Sequence, residues 1–154
     1  MRHRLNDLYM MMVALMIGIT GCTDITDPQD AAQTDKDFAK TMGVADSLYN
    51  YMQFRDAYKL YRQLLDNKEA DADSEKRLSV LNALSNTSEL AGYKVEQHKW
   101  LQQLRDLAEQ TGNDYYLSLA HLTMGQNLFY EGSREKGIYA VTKAIDLMAN
   151  SYHL

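Results

Sequence analysis

The chain has 154 residues, 45% apolar and 24% charged, which suits one globular domain and leaves little room for two. Eight glycines and one proline exclude collagen-like and proline-rich classes, and a single cysteine excludes an intramolecular disulfide framework or a cysteine-rich zinc site. A formal net charge of −5 argues against a nucleic-acid partner held by a broad basic surface.

The chain opens with Arg2 and Arg4, followed by an uncharged apolar run of 12 residues, Leu8–Ile19. A helix rises about 1.5 Å per residue, so this run is too short for a hydrocarbon core of about 30 Å. It has the size of a signal-peptide core, with Met10, Met11, Met12 and Met16 as its filler rather than a copper site. The next residues, Ile19-Thr20-Gly21-Cys22, resemble a bacterial lipobox. That resemblance implies cleavage after Gly21, acylation of the Cys22 sulfur, and residues 1–21 as a lipoprotein signal peptide. Each acyl CH₂ buried in lipid is worth about 0.8 kcal/mol, so two or three chains hold firmly. The alternatives are an uncleaved anchor or an ordinary signal peptide with a chance cysteine. The expected location is the cell envelope, on the periplasmic side of the inner or outer membrane.

Residues 22–37 carry Asp24, Asp27, Asp30, Asp35 and Asp37 against one lysine, Lys36, with the only proline at Pro28. Such a stretch buries too little apolar area to offset the ordering of its backbone, and it reads as a flexible acidic tether.

Residues 38–150 contain no proline, and their apolar side chains recur at helical spacing. Leu60, Leu64 and Leu65 form one stripe, Trp100, Leu101, Leu104 and Leu107 a second, and Ile138, Val141, Ile145 and Met148 a third. Self-comparison finds a period of 40: small residues at Ala45, Ser85 and Gly125, then Tyr61, Leu101 and Val141, then Leu64, Leu104 and Ala144. Turn signals fall between, at 50–53, at Ala91-Gly92 and at Glu131-Gly132-Ser133. Each period predicts a helix, a tight turn and a second helix: 38–50 with 54–66, 75–90 with 93–109, and 115–130 with 134–149. Ser74 and the Asn113-Asp114 pair are the candidate helix caps. A small residue permits close approach of the paired helices. One hairpin cannot bury its own apolar face, whereas stacked hairpins share one.

This pattern resembles the tetratricopeptide repeat. The third unit matches through Met124-Gly125, Leu128, Gly132, Gly137, Val141 and Ala144, and the first through Val44-Ala45, Leu48, Phe54, Ala57 and Tyr61. In the second, Gln97 stands where the family has a small residue. The family's early Trp is Thr41, Leu81 and His121 here, its closing Pro is Glu69, Glu109 and Ala149, and the period is 40 instead of the family's shorter one. The resemblance implies an all-α fold, three antiparallel helix-turn-helix units stacked as a short right-handed solenoid, with another helical solenoid as the competing reading. Ala45, Ser85, Gly125, Ala57, Gly137 and Ala144 would be its packing positions.

The family's first helices line a concave groove. Carried over, that face comprises Asp46 and Tyr49, then Asn82, Asn86 and Glu89, then Gln126, Phe129 and Tyr130, with Met42 and Leu122 beside them. Asn82 and Asn86 share a helical face, and amides suit an extended peptide backbone. No Lys or Arg stands at these positions, so a carboxylate-clamp ligand is not expected.

Catalytic constellations are not found. His3, His98, His121 and His153 have no companion at metal-ligand spacing, the 132–137 segment lacks a P-loop ending, and Asp71 and Asp73 lack the rest of a calcium loop. The sequence therefore predicts no enzyme, no cofactor and no metal. The predicted role is an envelope-anchored scaffold that binds a protein or peptide. The combination of leader, acidic spacer and long repeats also resembles the N-terminal sensor region of Bacteroidetes two-component regulators, so a truncated or N-terminal sensory domain is the alternative. A glycan-capture lipoprotein is a third. The last helix carries Ile138, Val141, Ile145, Leu147 and Met148 with nothing predicted to cover it, which suggests a homodimer, a partner or further chain at that end.

Overall fold

The computed structural model describes residues 28–67 and 73–151; the expected signal peptide, Gly21 and Cys22 lie outside the described residues. Among the described residues there are six helices and no strand: α1 Pro28–Asn50, α2 Phe54–Leu65, α3 Ser74–Leu90, α4 Lys94–Thr111, α5 Asp114–Tyr130 and α6 Arg134–Ser151. They form three antiparallel pairs stacked as a tetratricopeptide-like solenoid, the expected fold class. A division into two compact units falls inside α1, between Gln33 and Thr34, and the helix stack belongs to the second unit.

One boundary differs. The sequence carries the tether to residue 37, yet α1 starts at Pro28. Proline at a first helical position presets φ and needs no donor there. Further along, Phe38 is buried, the Lys76 ammonium lies 5.3 Å from its ring centroid, and Lys76 pairs with Asp35. The Asp35 contact from α3 holds a residue that composition alone assigns to a loose spacer, and the Phe38 contact anchors the chain just beyond it.

The turn within each pair is built the same way, 40 residues apart. Gln53, Tyr93 and Ser133 N–H groups donate to the Leu48, Ser88 and Leu128 carbonyls at 2.9, 2.7 and 2.8 Å. Met52, Gly92 and Gly132 donate to Tyr49, Glu89 and Phe129 at 3.0, 3.1 and 3.1 Å. This double bond pattern satisfies two otherwise orphaned carbonyls and requires a left-handed residue at its centre. Gly92 and Gly132 supply it without strain at φ 85° and 80°, but the first turn uses Met52 at φ 61°.

Between pairs, Gly112 closes α4 in the same way, and the Asn113 side chain then accepts from the Tyr116 N–H at 3.1 Å to cap α5. The same side chain donates to Glu75 at 3.0 Å, tying the starts of α3 and α5. The cap of α3 is Asp73, not the expected Ser74. Its carboxylate accepts from the Glu75 and Lys76 N–H groups at 2.9 and 3.3 Å, while Ser74 is the first helical residue.

The core runs through the centre of the stack. α3 packs on α2, α4 and α5, and Leu78, Val80, Leu81 and Leu84 are buried on several of its faces. Each such side chain contributes about 1.5–3 kcal/mol by leaving water. Ser85, Thr87 and Ser88 are also fully buried. Their hydroxyls donate to carbonyls of the same helix, at 2.9, 2.6 and 2.6 Å, so small side chains permit close packing and leave no orphaned hydroxyl.

All six expected packing positions are buried. α5 and α6 cross closely. A Cβ at Gly125 would sit 2.6 Å from Val141 Cγ2 and 3.1 Å from the Gly137 carbonyl oxygen, and one at Gly137 would sit 3.2 Å from the Gly125 oxygen and the Phe129 ring. No described helix is long and apolar enough to cross a membrane.

Candidate functional site

The residues expected on the concave face all sit on α1, α3 and α5, but several are engaged within their own hairpins. Asp46 accepts from the Tyr61 hydroxyl at 2.7 Å. Burial, followed by this bond, pushes that hydroxyl's pKa above the usual tyrosine range. Tyr49 packs edge-on against Phe54 with ring centroids 5.4 Å apart. Glu89 accepts from Gln97 Nε2 at 3.1 Å, which gives a partner to the buried amide standing where the other two hairpins have Ala57 and Gly137. Phe129 is partly held by the close approach of Gly137. Asn82 and Asn86 are half-buried, and Gln126 and Tyr130 are exposed.

A different surface holds two hollows. Positions 60, 100 and 140 are equivalent in the 40-residue register and hold Leu, Trp and Ala. In the second hairpin Trp100 is buried, with the Arg62 guanidinium of α2 4.8 Å and the Lys99 ammonium 4.7 Å from its ring. In the third hairpin Ala140 takes the place of that indole. Beside it lies a cavity of about 410 Å³ between α5 and α6, lined by His121, Met124, Leu128, Tyr139 and Ala140, with Glu135 and Lys136. A second cavity, of about 440 Å³, lies between α4 and α5, bounded by His98, Leu101, Gln102 and Arg105 on one side and by Met124, Asn127, Leu128 and Glu131 on the other. Met124 and Leu128 line both, so the two hollows adjoin along the α5 stripe.

The hollow beside Ala140 is almost wholly apolar, and the one between α4 and α5 mixes apolar with polar and charged side chains. His98 Nε2 lies 3.8 Å from a Glu131 carboxylate oxygen, and Arg105 bonds to Asp106 at 2.8 Å. Two buried side chains on α5 carry unmatched polar atoms: Asn127 Nδ2, and both ring nitrogens of His121. A buried unpaired donor costs about 1–3 kcal/mol. Burial lowers the His121 pKa, the Lys143 charge lowers it further, Glu109 opposes this and Arg105 adds to it. No group of three or more His, Cys, Asp and Glu side chains able to hold a metal gathers among the described residues.

Sequence reasoning meets His121 as a departure from the repeat pattern and as a histidine with no companion at metal-ligand spacing, and does not single out Asn127 or the hollow. The signal lies in the 60/100/140 column, where the largest side chain of one repeat is answered by one of the smallest in the next. Comparison of the chain with family models, with curated proteins and with solved structures finds no match.

Proposed function

We propose that the protein is a non-catalytic helical-repeat scaffold that binds a peptide or protein segment, and that it is held in the cell envelope through lipid on Cys22. The observation that carries the binding reading is the hollow beside Ala140, adjoining a second one along Met124 and Leu128. Ligand sites are typically concave, largely apolar and marked by a few polar groups, and each of these traits is present here. An aromatic or branched side chain from the partner fits the space an indole fills one repeat earlier. The exposed Gln126 and Tyr130 of α5 extend the surface available to the partner.

A photocrosslinking residue placed at Gln102 or Tyr139, in envelope membranes, tests this reading. The expected result is one crosslinked polypeptide, identified by mass spectrometry and shared by both positions. Ala140→Trp should abolish the adduct while far-UV circular dichroism stays unchanged. An adduct that persists in Ala140→Trp would overturn the assignment of the site, and no adduct at either position would overturn the binding reading. Incorporation of labelled palmitate, lost in Cys22→Ala, tests the anchor.

A further inference from the structure

The stack contains the same contact twice, and its two ends carry the separate halves of a third. Where α3 lies on α2, the α3 residues Val80, Leu84 and Thr87 are all 0% exposed. Forty residues on, where α5 lies on α4, Ala120 and Asn127 are buried and Met124 is half-buried. The equivalent residues of α1 are Lys40, Val44 and Ser47, and all three are exposed, Val44 by 48%. The receiving side behaves in the same way. Leu65 of α2 is 7% exposed and Arg105 of α4 half-buried, whereas the equivalent Ile145 of α6 is 62% exposed. Ile138, on the same side of α6, is exposed as well. No described helix covers either surface.

We propose that the chain stacks head to tail on a second copy of itself, with α6 of one copy receiving α1 of the next as α2 receives α3 and α4 receives α5. The occupant is argued from continuity with the interface inside the chain. The surface on α6 is in the register that accepts a first helix of this repeat, and the free first-helix surface in that register is on α1. The α6 half is more apolar than that of α4, with Ile138 and Ile145 standing where α4 has His98 and Arg105. On the α1 side, an open depression of about 340 Å³ bounded by Lys40, Thr41, Val44, Leu60 and Gln63 is available to an inserted isoleucine. Such a contact is heterologous, since each copy uses two different faces, and it does not close on itself after two copies. It involves neither Ala140 nor Tyr139, so it stands or falls apart from the peptide-binding reading.

Sedimentation velocity of the full chain in a mild detergent, with Val44→Glu and Ile145→Glu variants, tests the proposal. Both positions are exposed, so each variant should keep the wild-type circular dichroism and unfolding midpoint. The wild-type average mass should rise with concentration beyond that of a dimer. Each variant alone should remain a monomer. An equimolar mixture should form a dimer and nothing larger, because one intact α6 face meets one intact α1 face and the remaining faces are both blocked. A wild-type chain that stays monomeric would overturn the proposal. So would loss of association in only one of the two variants, as a symmetric α6-to-α6 pair would give, or a mixture that fails to associate.

Discussion

The second and third hairpins share a register, a turn and a packing pattern, yet they place bulk and void differently. The second has Ser85 at its helix crossing and fills the space outside with Trp100 under Arg62. The third brings its helices together at Gly125 and Gly137 and leaves the Trp100 equivalent as Ala140, beside an open hollow. A repeat that needs only to stack can be filled throughout. The third keeps its helices clamped at one point and the neighbouring space empty.

The contrast can be broken from either side. Trp100→Ala should give the second hairpin the hollow of the third and destabilise the chain by about 4 kcal/mol, read as a lower urea midpoint. A loss below about 1 kcal/mol would show that the indole is not a filler. Gly125→Ala should cost about 2 kcal/mol by forcing Val141 away, since interior overpacking carries penalties of that size. Ser85→Ala, at the equivalent crossing, should change the midpoint far less, because a Cβ is already accommodated there. The turns offer a smaller test. Met52→Gly should stabilise by about 1 kcal/mol, because a left-handed backbone strains a side chain there and glycine relieves it, while Gly92→Ala should destabilise by a similar amount.

The smallest effect is linked to pH. The folded pKa of His121 is lowered, above all by burial, so the unfolded chain takes up the proton first. The contribution of the neutral ring is fully present above the ordinary histidine value of about 6.5 and is lost as pH falls from there towards the folded pKa. Unfolding free energies measured between neutral and mildly acid pH should fall more steeply in the wild type than in His121→Gln. Equal slopes would show that the ring titrates as if exposed.

Much of the stack is legible because stacking is written in a period. Five of the six helices begin and end within two residues of the places the 40-residue repeat predicts, and Ala45, Ser85 and Gly125 sit buried at the crossings. Local chemistry is less legible. Nothing in the sequence around Met52 announces a left-handed residue, because the bond pattern of the turn imposes it. The Asp-rich start of α1 reads as unstructured until Lys76 is brought to Asp35 and Phe38, a contact across 41 residues for the ion pair. The hollow is hidden for another reason: a void is defined by the side chain that is missing relative to a neighbour, and it emerges only when the columns are aligned on the correct period.

The central position of α3 has a consequence for how the protein comes apart. In a linear array each module is stabilised by the modules it touches, so those with neighbours on both sides outlast those with one. α3 rests on α2, α4 and α5, whereas α1 and α6 each leave a flank bare. Amide exchange should therefore be slowest along α3 and should quicken towards both termini, with the outer helices fraying before the middle one opens.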